Sequence, residues 1–194
     1  MARITDQKKI ERLKQSTMKL VVEHGFGGAP ATLIAKDAQV ASGYFYMHYK
    51  GKYEMVNAIL QEVYQEVFYK FEEFIQQEAS FTDTLEKMVR HFIGIANSEP
   101  IKVKFLYVLT SDYSFLIDQE TRDNTYAMIG KLKELGHVSQ SLDEAITAED
   151  LYLILFINTI QYINQRYKNN NKKKVVISDE EVDHLLYLFN KFLK

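Results

Sequence analysis

The chain has 194 residues, 46% of them apolar and 26% charged, a balance that supports a sizeable core and argues against disorder. It contains no cysteine, which removes disulfides, thiolate metal sites and cysteine nucleophiles together. Net charge is −2, but residues 1–54 carry nine Lys/Arg against five Asp/Glu while the remainder carries 15 against 21. A basic head on an acidic body suits a protein that meets phosphate at one end only, with chance asymmetry as the competing reading. The opening Met1–Asp6 has no apolar run, so no signal peptide is expected, and the longest apolar run, Leu151–Ile157, stops at Asn158, too short to span a bilayer. A cytoplasmic protein without membrane contact is the expectation.

In chain order, Ile10, Leu13, Leu20 and Val21 recur at helical spacing, with Lys8, Lys9, Lys14 and Lys19 elsewhere around the cylinder. This predicts an amphipathic helix of about four turns that stops at His24-Gly25. His24 reads as a partly buried helix-end residue rather than a ligand, and Gly25-Phe26-Gly27-Gly28 as a turn rather than a nucleotide-binding loop.

The stretch Thr32–Tyr53, TLIAKDAQVASGYFYMHYKGKY, then reads as two short helices joined by a tight turn and followed by the start of a long one. Ile34, Ala35 and Ala38 form the inner face of the first helix. Val40 plugs the turn, and Phe45 and Tyr49 face inward from the second. Small residues at 35 and 38 allow a close, steep crossing. Ser42, Gly43, Tyr44, Tyr46 and His48 are left pointing outward, the arrangement of a helix-turn-helix that offers its second helix to a DNA major groove.

The run I-A-x-x-A-x-V-x-x-G-x-x-Y-x-H-[FY]-x-x-K, from Ile34 to Lys52, resembles the signature of the TetR (tetracycline-repressor-like) family of bacterial regulators. Three positions depart from it. Gln39 occupies the turn site usually held by Gly, with strain if a positive φ is needed there. Ala41 replaces the usual Ser at the start of the recognition helix, with Ser42 as a substitute cap. The Ala29-Pro30-Ala31 run replaces the usual Thr cap of the preceding helix. These departures bear on operator contacts more than on the fold.

Beyond the head, Val56, Ile59, Leu60, Val63, Val67, Phe71, Phe74 and Ile75 hold the 3.6-residue period from Lys52 to about Gln77. At roughly 1.5 Å per residue this is a rod of about 39 Å that links the head to the body. Ser80-Phe81-Thr82-Asp83 predicts a capped helix to about Asn97. Pro100 opens a short apolar segment over Ile101–Leu109, read as helix because no partner strand is available. A further helix is expected from about Ser114 to Leu135, stopping at Gly136. Thr147-Ala148-Glu149-Asp150 caps Leu151–Tyr167, which is apolar on nearly every side and so calls for burial on every side. Asn169–Lys174 reads as a surface turn rather than a nucleic-acid contact. Ser178 caps the last helix, with its stripe Val182, Leu185, Leu186, Phe189, Phe192 and Leu193.

No catalytic constellation emerges. The five histidines (24, 48, 91, 137 and 184) are scattered, and nothing resembles a triad, a tuned acid/base pair or a metal site. An enzyme is not expected, and no cofactor is implied. For the head, the resemblance implies DNA contacts by Thr32, Ala41, Ser42, Gly43, Tyr44, Tyr46, His48 and Lys52. The residue types fit: Tyr44 for base edges, Ser42 as a small donor and acceptor, Gly43 for close backbone approach. Thr32, Tyr46 and His48 suit phosphates, and Lys52 adds its charge to a helix N-terminus. In the body, Phe68, His91, Phe92, Phe105, Tyr107, Tyr126, Asn158 and Tyr162 are candidates for an aromatic pocket with a few polar points, with ordinary core as the alternative. Leu153, Ile157, Ile160, Leu185, Phe189 and Phe192 are candidates for a two-fold interface.

The sequence therefore predicts an all-α protein: a helix-turn-helix domain over residues 1–53 and a helical effector-binding and dimerisation domain over 54–194. The function implied is ligand-controlled transcription, most simply repression. The partners are a near-palindromic double-stranded operator, a hydrophobic or aromatic small-molecule effector and a second copy of the chain. A helical ligand-binding or interaction protein whose head no longer reads DNA is the alternative.

Overall fold

A computed structural model of the chain describes residues 2–77, 80–169 and 175–193, with side chains from Asp6 onward. Among these residues there are nine helices and no strand: α1 (Ala2–His24), α2 (Ala31–Asp37), α3 (Ser42–His48), α4 (Lys52–Gln77), α5 (Phe81–Ser98), α6 (Pro100–Ser111), α7 (Gln119–Val138), α8 and α9 (Asp179–Phe192). Helix α8 starts as Ala148–Leu151, loosens to π geometry over Tyr152–Ile157 and returns to α over Asn158–Asn169. No helix among the described residues is long and apolar enough to cross a membrane. The expected turn at 170–174 lies outside the described residues.

The chain forms two compact units, residues 1–63 with 104–118, and residues 64–103 with 119–194. The head expected at 1–53 lies wholly in the first. Helices α4 and α6 each run from one unit into the other.

In the first unit, Leu13, Leu20, Val21, Ile34, Ala35, Phe45, Met55, Val56 and Leu60 make the core. Helix α1 extends N-terminally beyond the expected four turns. It ends where Gly25 takes a φ of +74°, a conformation that costs glycine little. Gly28 is required for a different reason: a Cβ there would lie 2.3 Å from the His24 carbonyl oxygen. Between α2 and α3 the chain reverses through Ala38, Gln39 and Val40, with Val40 N–H donating to the Ala35 carbonyl at 3.0 Å. Gln39 has a φ of +56°, so the strain foreseen at this position is present. Neither Pro30 nor Ala41, the residues preceding α2 and α3, makes a side-chain cap. Ser42 is the first residue of α3, so the loss of the usual hydroxyl cap is not made good at the N-cap position.

Residues 112–118 correct the expected helix start at Ser114. Asp112 Oδ1 accepts from the backbone N–H of Ser114 at 2.9 Å and from its hydroxyl at 2.6 Å, which holds the chain in a turn. Asp112 Oδ2 accepts from Phe26 N–H at 3.0 Å. Phe115 enters the first unit's core beside Phe26, ring centroids 5.0 Å apart, and Tyr53 donates its hydroxyl proton to the Leu116 carbonyl at 2.7 Å. Helix α7 accordingly begins at Gln119.

In the second unit, α7 continues through Gly136 to Val138 and then reverses at Gln140, which has a φ of +51°. Gly136 is there for space: an added Cβ would lie 2.8 Å from Leu142 and 3.0 Å from Phe81. The foreseen caps form at Ser80, Thr147 and Ser178, the last two as reciprocal capping boxes. Asn97 donates to the Ile177 carbonyl at 3.0 Å and accepts from its N–H at 2.8 Å, pinning the approach to α9 against α5. Arg90 adds ion pairs to Asp179 and Asp183. Helix α8 is not buried on every side as its composition suggested. Leu151, Leu155, Phe156, Ile160 and Ile163 are buried, but Leu153 is 47% exposed and Asn158 is exposed.

Candidate nucleic-acid interface and the body cavity

Helix α3 is seven residues with one fully buried side chain, Phe45. Ala41, Ser42 and Gly43 are exposed at its start, and Tyr46 is 54% exposed near its end. A Cβ built on Gly43 would meet nothing within 4 Å, so nothing in the protein itself requires glycine there. Thr32 is exposed in the first turn of α2. These five residues are open to solvent.

The other three predicted contacts are held more closely. The Tyr44 hydroxyl lies 2.6 Å from Asp6 Oδ1 and 3.0 Å from the Asp6 carbonyl oxygen. Its ring lies 4.7 Å from that of His48 and has the Lys9 ammonium 5.0 Å from its centroid. Desolvation and the bond to Asp6 push the phenol's pKa up to about 12. His48 is half-buried, and its Nε2 is buried without a hydrogen-bond partner among the described residues. Lys52, the first residue of α4, turns its ammonium onto the Phe26 carbonyl and over the Phe26 ring, 4.1 Å from the centroid. Desolvation there lowers its pKa, partly offset by the nearby Asp112 carboxylate.

Asp6 and Lys9 were not legible as members of this surface. They lie in α1, well away from the motif in sequence, and only the packing of α1 beside α3 brings them to Tyr44. The basic excess of residues 1–54 was the available signal, and it points to cations without saying which.

In the second unit a small cavity is lined by Phe71 of α4, Leu85, Met88, Val89 and Phe92 of α5, and Leu155, Phe156 and Thr159 of α8. Its free space is about 10 Å³, near the least that holds one water. The lone polar atom among these side chains, Thr159 Oγ1, is spent on the Leu155 carbonyl. Around it runs an aromatic cluster. Phe68 lies 5.7 Å from Phe156, Phe71 5.7 Å from Phe156, and Tyr126 5.7 Å from Tyr152. His91 sits 6.0 Å from both Phe71 and Phe74. Burial lowers its pKa, a contact with the Glu66 backbone opposes that, and Lys70 adds to the lowering.

The predicted pocket residues are thus divided. Phe92 lines the cavity; Phe68, His91 and Tyr126 belong to the aromatic cluster. Phe105 and Tyr107 fall in the first unit, Asn158 is exposed and Tyr162 is half-buried. The cavity walls Leu85, Met88, Val89 and Leu155 were missed because an apolar wall residue and an apolar core residue look alike in sequence. No group of side chains suited to a metal ion occurs among the described residues.

Residues 15–59 match the family model of bacterial regulatory proteins, tetR family. A TetR family transcription regulator from Marinobacter aquaeolei VT8 superposes with a TM-score of 0.78 at 15% identity, covering 98% of each chain. The head matches the tetR-family model, and the whole chain has the fold of solved TetR-family regulators. The transcriptional regulator FadR from Bacillus subtilis, solved in complex with stearoyl-CoA, gives 0.70 at 15% identity over 95% of this chain and 99% of that one. SmeT, the repressor of the Stenotrophomonas maltophilia multidrug efflux pump SmeDEF, gives 0.70 at 14% identity over 95% and 89%. No protein of curated function matches the sequence. The TetR family is one of transcription regulators, not enzymes, and the TetR-family match covers both helices of the helix-turn-helix and the foot of α4.

Proposed function

We propose that this chain is a homodimeric, ligand-responsive transcriptional repressor that works in the bacterial cytoplasm. The observation that carries the reading is the exposed start of α3, where Ser42 and an otherwise unneeded Gly43 stand beside Tyr44 on a TetR-family head. Such a surface lets backbone and short side chains reach base edges while Thr32, Tyr46 and His48 meet phosphates. Turning Lys52 away from Phe26 would add a cation at the foot of α4.

The effector is a hydrophobic or aromatic small molecule seated against the walls of the body cavity. These walls are apolar, and the resting cavity is too small for any such compound, so binding requires α4, α5 and α8 to part. Because Phe71 lies on the same helix as Lys52, this opening shifts α4 along its length and alters the spacing of the two heads in the dimer. Two-fold symmetry makes the operator near-palindromic. The exposed apolar stripe Tyr187, Leu188 and Phe192 of α9, with Leu153 of α8, supports the second copy as partner.

Selection of bound duplexes from a random pool by the purified protein tests the reading. Enrichment of a near-palindrome, lost with Tyr44→Ala, is the expected result; no enrichment at moderate salt would refute it. The competing reading, a head that no longer reads DNA specifically, is favoured by the strained Gln39 and the two uncapped helices, and the same selection decides between them.

A further inference from the structure

The geometry points to Asp6 as a specificity-determining residue: by accepting the hydroxyl hydrogen bond of Tyr44, it leaves that side chain able to accept from a base or touch a thymine methyl, but not to donate. The inference rests on α3 being the reading helix.

A phenol has one proton to give. Here the hydroxyl lies 2.6 Å from a carboxylate oxygen, the charged and closer of its two acceptors, and 3.0 Å from the Asp6 carbonyl. The ring is fixed as well as the hydroxyl, with His48 at 4.7 Å and the Lys9 ammonium 5.0 Å from the centroid. Tyr44 therefore comes to DNA with its orientation set and its donor occupied.

In the major groove, adenine and cytosine present an amino donor, thymine a methyl group, and guanine only acceptors. A tyrosine that cannot donate has nothing to offer guanine. Asp6 also places an exposed anion on a surface that phosphates approach, a penalty felt on every sequence. Lys9, one turn further along α1, partly offsets it.

Duplex selection with the full chain and the Asp6→Ala, Asp6→Asn and Tyr44→Phe variants tests this. The parent should disfavour guanine at one position of each half-site by roughly fivefold or more. Asp6→Ala should admit guanine there. Asp6→Asn, whose amide oxygen still accepts the hydrogen bond, should keep the exclusion while binding all sequences more tightly. In the Tyr44→Phe background, Asp6→Ala should leave base preference unchanged. Asp6 is exposed, so thermal unfolding of its variants should match the parent. Identical base distributions for parent and Asp6→Ala, or a change that persists in Tyr44→Phe, would overturn the role of Asp6 while leaving the reading helix in place. If the parent enriches nothing and Tyr44→Ala is without effect, the reading-helix assignment falls and takes this inference with it.

Discussion

The Lys52 ammonium donates to the carbonyl of Phe26 and lies over its ring, so the foot of α4 is fastened to the turn that ends α1. Asp112 completes the fastening by accepting from Phe26 N–H at 3.0 Å. One aromatic residue is thus gripped through its carbonyl, its N–H and its ring. Lys52→Ala should consequently act twice. It should lower head stability by about 1 kcal/mol through the lost charged hydrogen bond, seen in chemical unfolding. It should also weaken binding to all DNA and flatten the salt dependence by about one counterion. A loss of DNA binding without any loss of stability would mean the bond to Phe26 is dispensable.

Gln39→Gly should stabilise the head. A left-handed non-glycine residue costs roughly 1–2 kcal/mol, and glycine's extra freedom when unfolded returns part of that, leaving a gain of about 0.5–1 kcal/mol. Urea unfolding measures it. A destabilised variant would show that the Gln39 side chain makes a contribution larger than the strain.

The body should weaken in mild acid. Burial depresses the folded pKa of His91 below its unfolded value of 6.5. The unfolded chain therefore takes up the proton first, so the stability contributed by neutral His91 is present above that value and is lost as pH falls toward the folded pKa. Unfolding at pH 7.5 and 5.5 should differ in the parent, and the difference should shrink in His91→Gln. Equal pH dependence in both would remove His91 as the cause.

An apolar or aromatic-accommodating compound should raise the melting temperature and release DNA, because it binds one of two body conformations. Val89→Leu, which adds one methylene to a cavity with room for little more, should weaken both effects while sparing DNA binding. Hits confined to highly polar metabolites would count against the cavity.

Light scattering should give a particle near twice 22.7 kDa. The structure moves the positions that test this. Ile160, Leu185 and Phe189 are buried within their own chain, so charging them disrupts the fold, whereas Leu188 is 37% and Phe192 69% exposed on one face of α9. Leu188→Glu with Phe192→Glu should give a folded monomer. Wild-type protein that is monomeric at micromolar concentration would overturn the assembly and, with it, the palindromic operator.

Local chemistry made the head readable in the sequence. Its reverse turn and inner faces follow from periodicities within about twenty consecutive positions, and the three helix caps at Ser80, Thr147 and Ser178 follow from patterns of four. What the tertiary structure decided involves residues far apart along the chain. Asp112 diverts residues 112–118 from helix because Phe26, 86 positions earlier, supplies an N–H. Gly136 looks like a helix stop but is an approach point, because Phe81 and Leu142 leave no room for a Cβ. Asp6 meets Tyr44 across 38 positions. The walls of the cavity share one apolar alphabet with the core around them. Whether such a side chain faces a gap or a neighbour is fixed by packing between helices, which no local pattern encodes.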